Sequence, residues 1–98
     1  MQIITTGVAG TMESSDIIVT VEPRAEGGVE LTLSSSVMQQ FGRQIERVIR
    51  ETLAELNVSA AAVTAVDKGA LDCTVRARVS AAAFRAAKSS DYTWGAKQ

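Results

Sequence analysis

A stripe of apolar residues at spacings of three and four, between residues 37 and 56, constrains the fold of this chain most strongly. Its members are Val37, Phe41, Ile45, Val48, Ile49, Thr52, Leu53 and Leu56. Charged and amide side chains fall mainly on the opposite side, as is typical of an amphipathic helix. Ser36 and Gln39 have the spacing of a capping box, and Asn57 suits the left-handed residue that ends a helix. The pattern therefore predicts one long helix with its apolar face packed on a sheet.

Two alternating segments before this helix supply strands for such a sheet. Residues 17–22 alternate between Ile or Val and mixed positions up to Pro23, the only proline of the chain. A Gly27-Gly28 turn follows, and residues 29–33 then alternate between Val or Leu and polar side chains. These features predict an antiparallel hairpin with one buried face.

The segments after the helix predict two more strands and a short helix. Residues 60–66 are an alanine-rich strand, and Asp67 to Gly69 form a turn. Residues 71–79 alternate strictly between apolar and polar side chains, which favours a strand with one face in the core. Ser80 then begins an alanine-rich helix that ends near Lys88.

This order of elements predicts an α+β fold. We expect a two-layer sandwich with ββαββ(α) order, in which a mostly antiparallel four-stranded sheet carries one long helix on one face. At 98 residues the chain is expected to be a single domain over 1–98, with a flexible N-terminal loop at about 1–15 and a mobile tail at about 89–98.

Composition limits the classes of partner and the cellular compartment that we expect for this protein. Ten Lys and Arg residues against eleven Asp and Glu residues leave a net charge of −1, which argues against nucleic acid as a partner. No segment approaches the ~20 apolar residues of a membrane span, so no membrane association is expected. The single cysteine and the absence of a basic, apolar signal sequence favour a reducing cytoplasm.

The opening loop, Gly7 to Asp16, carries the best chemical candidate, the adjacent hydroxyls of Ser14 and Ser15. Glycines at 7 and 10 leave the backbone of this loop permissive, and the small polar residues Thr11, Ser14 and Ser15 offer nothing to a hydrophobic core. The chain contains no histidine, so the usual imidazole base is missing and a hydrolase triad is excluded. A serine here is better explained as a target of modification than as a nucleophile, and the residues alone do not distinguish Ser14 from Ser15.

Other residues have structural explanations that are simpler than functional ones. Glu13 and Asp16 flank the serines, but two carboxylates are a weak metal signal, so no metal site is predicted. Cys73 falls on the apolar side of the 71–79 alternation, which predicts a buried cysteine of the core. Arg76 and Arg78 fall on the other side of that strand, where they would be solvated or would contact a partner.

Two separated motifs, AGTMESSDIIV at 9–19 and DKGALDCTVRARVSA at 67–81, resemble the acyl carrier protein of citrate lyase, its gamma subunit. In that family the first serine of the ES(S/G)D element carries the prosthetic group, and this serine matches Ser14. The resemblance implies that Ser14 is the covalent phosphodiester attachment site of 2'-(5''-phosphoribosyl)-3'-dephospho-CoA, with no catalytic and no metal-binding residue in the chain.

The resemblance also implies a non-catalytic carrier subunit of a multi-subunit lyase. Such a subunit carries the acetyl or citryl thioester while citrate is cleaved to acetate and oxaloacetate. The implied partners are the citrate lyase alpha subunit, an acyl transferase, the beta subunit, a citryl-thioester lyase, and a prosthetic-group transferase.

Two alternatives remain open. The carrier subunit of malonate decarboxylase uses the same type of prosthetic group, although the KGALDC segment at 68–73 favours citrate lyase. A small sandwich domain could also be an unmodified binding or assembly module, since a fold alone does not define a function.

Overall fold

The computed structural model describes residues 1–88, and these residues form four strands and two helices. The elements follow each other in the order βββαβα. They are β1 (Gly7–Ala9), β2 (Ile17–Glu22), β3 (Gly28–Ser35), α1 (Met38–Glu55), β4 (Ala60–Asp67) and α2 (Asp72–Ala87).

The strands form one mixed sheet in the order β1-β2-β4-β3. Strand β2 pairs antiparallel with β1 and with β4, whereas β3 pairs parallel with β4. In this register Asp67 at the end of β4 lies opposite both Ile17 and Ser35. The start of β2 and the ends of β3 and β4 therefore meet at one end of the sheet.

One face of the sheet is buried under the two helices. Ile17, Val19 and Val21 of β2 are fully buried, and alternate residues of β4 share their face. Helix α1 packs on β3 and α2, and α2 packs on β1 and β2. The predicted fold class is confirmed: an α+β two-layer sandwich with a four-stranded sheet in which two of the three strand pairings are antiparallel.

The long central helix is confirmed as α1. Its buried residues include Ile45, Val48, Ile49 and Leu53, which belong to the predicted stripe, and Asn57 follows it with a positive φ of 60°. The predicted capping by Ser36 is wrong, because Val37 occupies the cap position and no side chain caps the helix. The Ser35 hydroxyl oxygen instead accepts a hydrogen bond from the Val37 N–H at 3.1 Å.

The strand predicted at residues 71–79 is wrong, since α2 spans these residues and absorbs the short helix predicted from Ser80. Val75 and Val79 satisfy both an alternating and a helical pattern, and Ala82, Ala83 and Ala86 continue the helical one. Alanine and arginine also favour helices strongly. Cys73 is consequently exposed, which corrects its predicted place in the core.

The predicted hairpin between residues 17–22 and 29–33 is also wrong. Both segments are strands, but β4 lies between them in the sheet. An alternating pattern predicts that a segment is a strand, but it does not predict which strand pairs with it. Strand β4 suits the central position because its apolar residues on the helix side, Ala61, Val63 and Ala65, are all buried.

The predicted N-terminal loop is interrupted by β1, and Ile3 before it is buried in the core. The predicted mobile tail at about 89–98 lies outside the described residues. Neither helix in residues 1–88 combines the length and the apolar character that crossing a membrane requires.

The contact between β1 and α2 requires a glycine at position 7. A Cβ there would overlap the Ala82 carbonyl oxygen and would lie 2.5 Å from the Ala86 nitrogen, both in the helix backbone. We predict that Gly7→Ala lowers the free energy of unfolding by about 1–3 kcal/mol, the usual cost of overpacking, in chemical denaturation experiments. Gly27→Ala is the matched control, because a Cβ at Gly27 meets no atom within 4 Å. Equal stability of the two variants would contradict this account of the β1–α2 contact.

Candidate functional site

The candidate site is the serine turn, which we define as residues 10–16 between β1 and β2. Ser14 and Ser15 are both exposed, and Ser15 has a positive φ of 66°. The Asp16 N–H donates to the Glu13 carbonyl oxygen at 3.2 Å, which closes the turn around the two serines. Both serines are therefore exposed on a turn with a defined backbone.

The serine turn is joined to the connection between β4 and α2. The Ser15 N–H donates to the Lys68 carbonyl oxygen, and the Lys68 N–H donates to the Asp16 carbonyl oxygen, both at 2.8 Å. These bonds continue the ladder in which Ile17 lies opposite Asp67. The backbone on the C-terminal side of Ser14 is therefore held by the sheet.

The other end of the turn is held by close packing at Gly10. Its φ of 103° is in the left-handed region, and a Cβ at this position would overlap the carbonyl oxygen of Ile17. Only glycine tolerates both conditions. The chain thus folds back closely against the start of β2 at this end of the serine turn.

The Asp16 side chain binds three partners. The Thr11 hydroxyl donates to Oδ2 at 2.6 Å, and the Ile17 N–H donates to Oδ1 at 2.7 Å. Arg78 of α2 donates to both oxygens, from Nε at 3.0 Å and from Nη2 at 2.9 Å. The Asp16 side chain is 13% exposed and the Arg78 side chain is 38% exposed, so the ion pair is partly shielded from water. A bidentate pair of this kind links the turn to the helix.

These contacts favour the charged form of Asp16. The Arg78 guanidinium first, and then the Thr11 hydroxyl and the Ile17 amide, hold the pKa of the Asp16 carboxyl far below its usual range. The same pairing raises the pKa of Arg78. Asp16 is therefore a fixed anion that pairs with Arg78, and it is not suited to act as a general base for a neighbouring hydroxyl.

Asp67 is a buried residue that stabilises the connection between β4 and α2. It is 1% exposed and accepts hydrogen bonds from the Ser35 hydroxyl at 2.8 Å, the Gly69 N–H at 2.9 Å and the Ala70 N–H at 3.0 Å. Asp67 therefore fixes the backbone at Gly69 and Ala70. Lys68, just before them, makes the backbone bonds to the serine turn.

The structure separates the residues that the sequence had grouped. Arg78 binds Asp16, whereas Arg76 forms ion pairs with Glu51 and Glu55 of α1, so neither lies on an exposed strand face. Glu13 is exposed, and within residues 1–88 no three acidic or cysteine side chains are grouped so that they could hold a metal ion.

Thr11 and Arg78 were missed as site residues. Thr11 lies five residues before Asp16 in the same loop, and its small polar character was the available signal. Arg78 lies 62 residues away in a segment predicted as a strand, so nothing local pointed to it.

This arrangement defines a small α+β domain that displays serine hydroxyls on a fixed turn. A family model described as ACP, malonate decarboxylase delta subunit (MdcD), matches residues 4–86. The citrate lyase acyl carrier protein 2 of Salmonella typhimurium is 53% identical over 96 residues, which cover 98% of this chain and 99% of that protein. The citrate lyase acyl carrier protein of Streptococcus mutans is 56% identical over 94 residues, 96% of this chain and 92% of that protein. The chain belongs to the citrate lyase acyl carrier protein family.

A solved structure shares the fold. It is a Pseudomonas malonate decarboxylase hetero-tetramer in complex with malonate, and one of its chains matches with a TM-score of 0.69. The match covers 87% of this chain and 91% of that chain at 19% sequence identity, so it bears on the architecture alone.

The depressed pKa of Asp16 predicts a pH-dependent contribution to stability. An unfolded aspartate titrates near 3.9, so the native pairing stabilises the fold above about pH 5 and is lost as the pH falls toward the lower folded pKa. We predict that Asp16→Asn destabilises the protein at pH 6 and that its difference from the wild type shrinks at pH 2.5, measured by urea denaturation.

Glu13→Gln is the control for this experiment, because it removes an exposed carboxylate from the same turn. Its stability should stay within about 0.5 kcal/mol of the wild type, as is usual for a surface substitution. A difference between Asp16→Asn and the wild type that does not vary with pH would contradict the assigned role of Asp16.

Proposed function

We propose that this chain is the acyl carrier subunit of citrate lyase, the complex that cleaves citrate to acetate and oxaloacetate. We further propose that Ser14 holds a covalent 2'-(5''-phosphoribosyl)-3'-dephospho-CoA through a phosphodiester. The observation that carries the proposal is the exposed Ser14 on a turn with a held backbone, in a chain that is 53–56% identical to proteins named citrate lyase acyl carrier protein.

The environment of Ser14 is compatible with a bulky prosthetic group. The residue is exposed, so a group on its oxygen would displace no core side chain. The turn is held by backbone bonds to Lys68 and by the Asp16 side chain, and none of these bonds uses the Ser14 hydroxyl. When bound, the group supplies the terminal thiol that holds the acyl substrate.

The residues of this chain serve attachment and presentation, and we assign it no catalytic step. Its sequence has no histidine, and the carboxylate of Asp16 is paired with Arg78. Ser14 supplies the oxygen that accepts the prosthetic group, and the sheet holds the turn in place. An acyl group tethered in this way is presented to two active sites at high effective concentration.

The proposed partners follow from this role. They are the alpha subunit, an acyl transferase, the beta subunit, a citryl-thioester lyase, and the transferase that loads Ser14, all placed in the cytoplasm. The names of the relatives support a citrate lyase complex.

A second candidate is the carrier subunit of malonate decarboxylase. The matching family model is described as a subunit of that enzyme, which favours this candidate. The structural neighbour, a chain of a malonate decarboxylase, shares the fold alone. The higher identity to citrate lyase carriers, 53–56% against 19%, supports the first candidate. Co-purification with the large subunits of citrate lyase, or with those of the decarboxylase, separates the two.

Ser14→Ala should remain folded and should fail to acquire the prosthetic group, because the accepting oxygen is gone. The measurement is the intact mass of the protein co-produced with the prosthetic-group transferase and the enzyme that makes its precursor. The wild type should gain the mass of one phosphoribosyl dephospho-CoA unit, and Ser14→Ala should gain none.

Ser15→Gly is the matched variant for this experiment. It removes the neighbouring hydroxyl and suits the positive φ at that position, so modification should persist. Modification of Ser14→Ala, or its loss in Ser15→Gly alone, would assign the site to Ser15. A wild type that stays unmodified beside a control carrier would favour an unmodified binding module.

A further inference from the structure

Two carboxylates flank Ser14 closely in the chain, and only one of them is neutralised. Glu13 is exposed, and no ion pair involves it within residues 1–88. Asp16 is bound through both oxygens by Arg78. The charge of the serine turn therefore depends on an arginine that lies 62 residues further along the chain.

We propose that Arg78 neutralises Asp16 so that an anionic, phosphate-bearing donor can approach the Ser14 hydroxyl. This inference rests on the proposed function, in which the Ser14 oxygen forms a new bond to a phosphorus of a phosphoribosyl nucleotide donor. The bond from that phosphorus to a phosphate leaving group breaks, and the hydroxyl proton passes to the transferase or to water. Arg78 is assigned a positioning role that acts through Asp16, and no contact between Arg78 and the incoming group is required.

The physical basis is repulsion between like charges in a partly shielded site. The Asp16 side chain is 13% exposed, so its charge is screened by water less than that of a fully exposed carboxylate. Without Arg78, Asp16 would lose its ion-pair partner among residues 1–88, and the turn would present two carboxylates, Glu13 and Asp16, to a donor that is itself strongly anionic. Charge complementarity of this kind acts mainly on the rate of encounter and depends on ionic strength.

The backbone of the turn has supports that do not involve Arg78. The Thr11 hydroxyl and the Ile17 N–H still bind Asp16, and the Ser15 and Lys68 backbones still pair. Removing the guanidinium therefore changes the charge at the turn more than its conformation. This separation allows the electrostatic role to be distinguished from a structural one.

The experiment follows the transfer of the prosthetic group to purified protein by intact mass over time, with the transferase and its nucleotide precursor. Arg78→Gln should lower kcat/KM for transfer about tenfold at low ionic strength. The deficit should fall below about twofold in 0.5 M salt, because screening removes the repulsion. The double variant Asp16→Asn/Arg78→Gln should return to within about twofold of the wild type.

Arg76→Gln is the matched control, since it removes the same charge from the same helix. Arg76 pairs with Glu51 and Glu55 of α1, and neither of these belongs to the serine turn. Its kcat/KM should match the wild type at both salt concentrations. Circular dichroism and thermal unfolding confirm that each variant is folded before transfer is measured.

A double variant as slow as Arg78→Gln, or a deficit that salt does not reduce, would overturn the electrostatic role. Normal transfer to Arg78→Gln would overturn it as well, while the carrier function remained intact. A wild type that accepts no group would overturn the proposed function and this inference together.

Discussion

The pairing of β4 with β2 on one side and β3 on the other determines the position of every other part of this structure. It brings the start of β2 and the ends of β3 and β4 into one row at Asp67. The serine turn extends this row through its two backbone bonds to Lys68, and both helices begin at the same end of the sheet. Ser14 is thus exposed on a turn that the sheet holds in place, as its proposed role as an attachment site requires.

The ion pair of Asp16 with Arg78 adds a contact that the sheet does not provide. It connects the turn to α2, a helix that also packs on β1 and β2. A partly shielded bidentate pair is specific in geometry, and its loss leaves a charge in a place where water compensates it poorly. The same contact therefore links the turn to α2 and sets the potential that the proposed anionic donor would meet at Ser14.

The sequence predicted the elements whose period was unambiguous. Residues 17–22 lie in a strand as expected, and the apolar stripe lies in α1 apart from its end residues, Val37 and Leu56, which occupy its cap positions. The α+β class followed from these elements. The strand prediction failed for residues 71–79, because Val75 and Val79 fit both periods and the alanines that extend the helical pattern lie after them. The three-residue strand β1 gave no periodic signal at all, since it is too short and contains a glycine and an alanine.

Some features of the candidate site were likewise predictable from the sequence, and others were not. The resemblance of the segment around Ser14 pointed to that serine, and its flanking residues predicted an accessible turn. The Asp16–Arg78 ion pair and the backbone bonds to Lys68 connect residues that are 52 to 62 positions apart in the chain. No local sequence pattern spans such a separation. The sequence by itself determined which chemical groups the chain offers and where apolar surface had to be buried. The tertiary structure alone decided which strands became neighbours and which arginine faced the serine turn, because both depend on packing between distant segments.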